Sequence, residues 1–389
     1  MTPKVRYVGA VLDPSGYGHA ARSYISALVE AGVEVTIEPV SFEPYATSYG
    51  GKDKLIQGLI DRELDWNVQI LHLTPEQWHK HIKSVTPKGK MPYTIGNTVW
   101  ETTNIHPSWA KFIRASDVLI DELWLPNEFN IEVFKRSLPN VPMTCVPHVV
   151  DYEDFAVHPT LETAYEGFMF FSVFQWTLRK NPEALLKAYF TEFSPDENVR
   201  LVLKTYKSST EKDEQDKVTY EIAEIIRNLG MKRKDLPHLE LILDLVPFPK
   251  MVGLYKRSDC FVSPHYGEGW GLGMSDAMAC ETPVIATSWS GNMEFCRYDP
   301  LNFYPVGYQM TPVYGMPWIP WYVAKMDGVT QEWAEVDVSD LRRAMREVYE
   351  ATPEERERIG QRGLRRIERY SPKKIGSLMR SRLEDICER

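Results

Sequence analysis

The sequence predicts an α/β chain built of two domains, and three observations predict it. Short apolar runs alternate with segments of helical spacing, glycine-rich turns follow two of those runs, and 389 residues are enough for two or three cores. A hydrophobic content of 43% with 25% charged residues is that of an ordinary globular protein, which excludes a disordered or fibrous chain.

Lys4 to Leu12 reads as the first strand and Asp13 to Gly18 as a turn. From His19 onward, Ala21, Tyr24, Ile25 and Leu28 recur at helical spacing, and Gly32 stands as the stop. Val33 to Val40 is the next strand, so Gly16 and Gly18 open the helix of a βαβ unit. With Ala21 in its third position the dinucleotide fingerprint is incomplete, and the two glycines also suit a helix start packed closely on its strand. Val68 to Leu73 and Tyr93 to Val99 are two further strands. The first carries His72, and the second is followed by Trp100, Glu101, Thr102 and Thr103. A helix is expected over Pro107 to Ser116.

Phe168 to Val173 opens the second half as a hydrophobic strand. The loop after it carries Arg179 and Lys180, ahead of a helix with Ala184, Leu185, Ala188 and Tyr189. Two cations at a strand's carboxyl end suit a diphosphate, whereas at a helix start they work against the dipole. Arg200 to Lys204 and Leu239 to Asp244 are strands, separated by an exposed, charged helix that runs to Leu229. Phe248 to Arg257 is a short helix.

The stretch from Ser263 to Phe295 is the most informative. A strand ends at Val262, a turn carries Gly267, Gly269 and Gly271, a helix runs from Leu272 to Cys280, and Pro283 to Ala286 is another strand. In such a parallel unit ligands bind at the carboxyl ends of the strands, and a helix start offers N–H groups to a phosphate. Glu268 and Asp276 flank the turn and can accept hydrogen bonds from the hydroxyls of a ribose or a sugar. The alternative is a glycine loop with two solvated acids. Beyond it, the aromatics of Tyr304 to Val323 either stack on a ligand or pack in a Pro-rich loop. Ser339 and Thr352 read as helix caps, and Ser371-Pro372 starts a last helix to Arg389.

Charge and cysteines bound the partners. The formal net charge is −9, and residues 1–160 hold 14 basic against 19 acidic side chains, which disfavours a polyanion. Residues 353–389 hold 11 basic against 7 acidic ones, a surface for an anionic membrane or a solvated helix face. No run of eighteen apolar residues and no secretory leader pattern are seen. Five cysteines without a CxxC pair are expected to be reduced thiols in the cytoplasm that bind no metal.

Glu268-Gly269-Trp270-Gly271-Leu272, then Asp276-Ala277-Met278-Ala279-Cys280, Thr282-Pro283-Val284-Ile285 and Gly291 to Glu294 resemble retaining glycosyltransferase family 4. In that family the stretch runs EGFGL, three residues, EAMACGTPVI, then a GG turn and a Glu. Here Asp276 stands where the second Glu is usual and Glu281 where Gly is usual. Met143 to Asp151 resembles the last strand of the family's first domain, and the boundary is placed in the polar stretch from Asp151 to Glu166.

The resemblance implies the GT-B architecture: two facing Rossmann-like domains with a cleft between them and a final helix crossing back to the first. The expected domains are 1–160 for the acceptor, 161–370 for the nucleotide-sugar, and a returning helix over 371–389. It implies transfer of a sugar from a nucleotide-sugar to a hydroxyl, with retention and without a metal cofactor. Donor contacts fall on Gly16, Gly18, Arg179, Lys180, Gly269, Gly271, Leu272 and Asp276, with Asp276 on the ribose and Glu268 on the sugar hydroxyls. Lys180 matches the family's Lys, but Phe174 or Gln175 stands where its Arg is usual. The family's His, on the loop after the strand Tyr93 to Val99, is replaced by Trp100-Glu101. Glu101 is then the second catalytic candidate beside Glu268, or a helix cap, and His106 is the nearest imidazole.

The implied acceptor is a saccharide or a lipid-linked saccharide, with peripheral contact at the inner membrane face as an option. A DNA base is an alternative acceptor that the acidic first domain disfavours. A nucleotide-sugar hydrolase or epimerase is a further alternative. So is a catalytically silent GT-B protein that only binds the nucleotide-sugar.

Overall fold

The computed structural model describes residues 3–41, 53–114, 120–162, 165–316, 319–326 and 328–388. Among the expected features, the helix end at Ser116, the Pro317-Trp318 pair and Arg389 lie outside the described residues. The chain divides into two compact units. One comprises Met1–Asp151, Ile319–Gln331 and Arg369–Arg389, and the other Tyr152–Trp318 and Glu332–Glu368.

The first unit is a six-stranded sheet of β1 (Lys4–Gly9), β2 (Glu34–Pro39), β3 (Val68–His72), β4 (Tyr93–Asn97), β5 (Glu122–Leu125) and β6 (Met143–Cys145), in the order β2-β1-β3-β4-β5-β6. Every pairing is parallel. Strands covered on both faces read as continuous apolar runs, and β3 and β5 are buried throughout. The helix Gly16–Glu30 connects β1 to β2, with Ser15 as its cap accepting from the Gly18 amide at 3.2 Å. Gly18 is required there. A Cβ at this position would lie 2.2 Å from the Asp13 carbonyl oxygen and 2.7 Å from that of Ala10. The helix Pro372–Cys387 packs on this same helix. Gly376 permits the contact, because a Cβ would sit 2.3 Å from the Ala27 carbonyl oxygen. The last helix therefore returns to the first unit, as the resemblance implies.

The excursion Ile319–Gln331, which the sequence pattern does not anticipate, also belongs to the first unit. Tyr322 stacks on Trp100 with ring centres 5.1 Å apart, and the Gln331 amide donates to the carbonyls of Asn104 (2.9 Å) and Trp321 (3.1 Å). Part of the aromatic stretch thus packs as protein.

The second unit repeats the plan with β7 (Phe168–Gln175), β8 (Val199–Tyr206), β9 (His238–Ile242), β10 (Cys260–Ser263), β11 (Val284–Thr287) and β12 (Tyr304–Val306). The order is β12-β11-β10-β7-β8-β9, again wholly parallel. Strand order reverses between β7 and β10, and in such sheets ligands bind at the carboxyl ends of the strands at this switch point. Its core gathers Phe170, Leu201, Leu203, Tyr189 and Phe190 with Leu341, Met345 and Val348 of the helix Val338–Glu350. Asp337, rather than Ser339, caps that helix, accepting from Ser339 and Asp340. Thr352 and Glu355 form a capping box, and Ser371 caps the last helix.

Glu122 on β5 is a fully buried charge of the first unit, with no exposed surface. Arg382 of the last helix donates to both its oxygens at 2.5–3.1 Å, and Tyr93 and Thr144 donate as well. Burial would raise this carboxyl, but the Arg382 bonds hold it below the ordinary range. Removing one partner of such a pair strands the other, so Arg382→Ala is expected to destabilise the protein by about 3 kcal/mol at pH 7 in urea unfolding. A folded-state pKa below the unfolded one gives stability that is present above about pH 4.3 and lost as pH falls through the folded value. The gap between wild type and variant therefore narrows in acid.

Candidate active site

The loop after β7 ends in a turn, Leu178–Lys180, closed by Asn181 in the left-handed region at φ 56°. The Asn181 side chain then caps the helix Pro182–Glu192. This tight reversal holds Arg179 and Lys180 at the carboxyl end of β7 instead of releasing them into the helix. The loop after β10 is tied to it, because the Tyr266 amide donates to the Arg179 carbonyl at 2.8 Å.

Glu268 lies between the two cations. Its carboxylate pairs with the Lys180 ammonium and, at 3.3 Å, with the Arg179 guanidinium, which also donates to the Gly267 carbonyl at 2.7 Å. Glu268 is 7% exposed. Burial would raise its carboxyl, but Lys180 and Arg179 hold it down to about 2. The turn before Gly291 grips its backbone at both ends. Ser290 Oγ accepts from the Glu268 amide at 2.9 Å, and the Gly291 amide donates to its carbonyl at 2.8 Å. Gly291 has to be glycine, since a Cβ would meet the Gly269 carbonyl oxygen at 2.2 Å. Ser290 itself sits at φ 78°, a strained conformation for a side-chain-bearing residue.

Gly269 and Gly271 bracket the buried Trp270, whose indole N–H reaches Ser275 at 3.2 Å. Gly271 takes φ 100° and turns the chain into the helix Leu272–Ala279. That helix's hydrogen-bonded ladder begins with the amides of Met274 and Ser275, both on the Gly271 carbonyl, so Leu272 and Gly273 precede it. From Gly291 the chain makes a 3-10 turn, Gly291–Glu294. Glu281 adopts φ 58°, which accounts for the glycine of the family pattern at this position.

Asp276 lies outside the ion cluster. It is half-buried on the helix, its electrostatic neighbours are Tyr255 and Cys280, and burial pushes its carboxyl up to about 8. Two residues that the sequence pattern does not single out also stand out. His265 is fully buried at the head of the Glu268 loop. Lys204, near the end of β8, is buried without an ion pair among the described residues, and burial brings its ammonium down to about 8. A Lys closing the strand pattern RLVLK was the one available signal for the second.

In the first unit, Gly16 and Gly18 begin the helix after β1. Glu101, on the loop after β4, accepts from the Tyr322 hydroxyl at 2.6 Å. His106 Nδ1 accepts from the Ser108 amide at 3.1 Å, and its ring packs on Trp321. His72 is buried with Tyr7, whose hydroxyl meets its Nδ1 at 2.6 Å, and burial lowers its imidazole to about 3. All five cysteines are free. No cluster of metal-ligating side chains occurs among the described residues, and no helix among them is long and apolar enough to cross a membrane.

The strand order and the site together define an α/β chain of the GT-B architecture with a charged cluster at the switch point of its second unit. Residues 162–298, which contain that cluster, match the family described as glycosyl transferases group 1. No curated protein matches the chain. Three solved structures share the fold over nearly the whole length. HepE of Anabaena in complex with UDP and glucose is 10% identical with a TM-score of 0.66, covering 98% of this chain and 100% of that one. The trehalose-6-phosphate synthase OtsA is 12% identical with a TM-score of 0.67, covering 98% and 99%. Sucrose-phosphate synthase from Thermosynechococcus elongatus is 13% identical with a TM-score of 0.67, covering 99% of each chain. The family match over residues 162–298 supports a glycosyltransferase, and the solved structures share the fold.

The Asp276 carboxyl gives a test of the site's electrostatics. Its folded-state pKa exceeds the unfolded value, so between about pH 4 and pH 8 the folded protein holds a proton the unfolded chain releases. Stability from this group is full below about pH 4 and falls as pH rises toward 8. Asp276→Asn removes the penalty, so the gain in Tm over wild type is expected to grow between about pH 5 and pH 8. An equal difference at both pH values would place the carboxylate in water.

Proposed function

We propose that this chain transfers a sugar from a nucleotide-sugar donor to a hydroxyl acceptor, with retention of anomeric configuration, as in glycosyltransferase family 4. The observation that carries this reading is the Lys180–Glu268–Arg179 cluster at the reversal of strand order between β7 and β10. Two cations fixed at strand ends match the diphosphate of a leaving nucleotide, whose negative charge grows as the glycosidic bond breaks. Side chains can supply this charge on their own, so we propose metal-independent transfer.

Each donor contact has its place in this scheme. Lys180, Arg179 and the helix start at Gly269, Gly271 and Leu272 hold the diphosphate, with Gly16 and Gly18 of the first unit contributing backbone to the same group. Asp276 takes the ribose hydroxyls: an acid without a cation beside it is suited to hydroxyls and not to phosphate. Glu268 exchanges part of its ion pairing for the hydroxyls of the transferred sugar once the diphosphate engages the cations. Glu101 is assigned to the acceptor, where its carboxylate receives the attacking hydroxyl's hydrogen bond and proton. A saccharide or lipid-linked saccharide acceptor in the cytoplasm, with peripheral membrane contact through the basic C-terminal residues, fits the acidic balance of residues 1–160 better than a nucleic acid does. Similar folds are described with UDP and glucose or as sugar-phosphate synthases, which makes a uridine donor the first to try.

Incubation with UDP-glucose, GDP-mannose or ADP-glucose in EDTA, followed by proton NMR of the anomeric signal, tests the reaction. Slow release of the sugar with its donor configuration from one of the three is expected. First appearance of the opposite anomer would contradict retention. Glu268→Gln is expected to slow that release by about 100-fold while leaving affinity for the free nucleoside diphosphate within a few-fold of wild type, because Lys180 and Arg179 remain. Equal loss of both would make Glu268 a support of the loop alone.

A further inference from the structure

His265 has no exposed surface, and neither of its ring nitrogens has a hydrogen-bond partner among the described residues. Buried polar side chains are almost always paired, and one left unpaired weakens the fold. Its surroundings define what it serves. Glu268, Lys180 and Arg179 are the charges that act on the ring, and its backbone is fixed by the Thr287 hydroxyl, which donates to the His265 carbonyl at 2.7 Å. The next residue, Tyr266, ties the loop to Arg179. The ring therefore lies beside the Lys180–Glu268–Arg179 cluster, on a loop anchored through Thr287 and Arg179.

Protonation decides the kind of partner. Burial chiefly, together with the two cations and against the pull of Glu268, lowers the imidazole to about 3. The ring is neutral at working pH, with one nitrogen a donor and the other an acceptor. A phosphate oxygen accepts only and leaves the acceptor nitrogen unmatched. A sugar hydroxyl fills either role, and two hydroxyls fill both.

We propose that His265 is a specificity-determining residue of the donor site that hydrogen-bonds the hydroxyls of the transferred sugar and not the diphosphate. This rests on the nucleotide-sugar reading above. The donor site then has two parts, in which Lys180 and Arg179 read charge while His265 and Glu268 read hydroxyls. The ring's unsatisfied state in the free protein is stability given up for recognition.

The decisive experiment pairs binding with stability. Calorimetry of the wild type with UDP and UDP-glucose, GDP and GDP-mannose, and ADP and ADP-glucose first establishes which pair binds. If no nucleotide binds, the nucleotide-sugar reading itself fails, and this proposal falls with it. With a binding pair in hand, His265→Leu is expected to weaken the sugar conjugate by about tenfold or more and the nucleoside diphosphate by less than about twofold. The unliganded Tm of this variant is expected at or above that of wild type, because an apolar side chain of similar volume needs no partner. His265→Gln, which keeps a donor and an acceptor, is expected to recover most of the sugar-conjugate affinity, and it serves as the informative variant if His265→Leu does not fold. Equal weakening of conjugate and diphosphate, unchanged affinity for both, or a Tm several degrees below wild type in both variants would overturn the proposal.

Discussion

Glu268 carries a negative charge into a nearly dry loop, and the loop can hold it only because Lys180 and Arg179 reach it from the neighbouring strand end. The dependence runs the other way as well. Two adjacent cations on one short turn repel each other unless a carboxylate lies between them. The rest of the second unit's carboxyl edge serves this balance. Asn181 closes the turn that aims the cations, Ser290 and Gly291 clamp the backbone of Glu268, and Gly271 starts the helix that carries Asp276 away from the cluster. A diphosphate entering such a site meets positive charge already in position, so little reorganisation is left for the moment of reaction.

Much of this was legible in the sequence because parallel strands buried on both faces leave a strong imprint. The runs at Val68, Phe168 and Cys260 lie within a residue or two of their strands, and Gly267 to Gly271 marks the turn that a ligand-binding crevice requires. The helix boundaries set by local chemistry were equally readable, as at Thr352 and Ser371. Contacts made at long range were not. Nothing in the local pattern around Ile319 to Gln331 says that a strap from late in the chain packs on Trp100 and meets Glu101, since that is decided by the stacking of Tyr322 and the burial of Gln331. Pairing of Glu268 with both cations across almost ninety residues of sequence was invisible for the same reason.

The departures from the family pattern acquire physical meaning in the structure. Glu281 occupies a left-handed position that glycine would take without strain, so its cost is conformational and local. Asp276 has no ion pair among the described residues, and burial displaces its carboxyl toward neutrality. Arg179, on the same loop as Lys180, reaches both the Gly267 carbonyl and Glu268. After β4, His106 Nδ1 accepts from the Ser108 amide and Glu101 accepts from the Tyr322 hydroxyl.

The central claim, that Lys180 and Arg179 form a diphosphate site, is tested most directly by calorimetric titration of the wild type and Lys180→Ala with UDP, GDP and ADP in EDTA. One of these is expected to bind the wild type without metal, and the variant to bind it at least about tenfold more weakly. Binding of none, or an affinity in Lys180→Ala equal to that of the wild type, would contradict it.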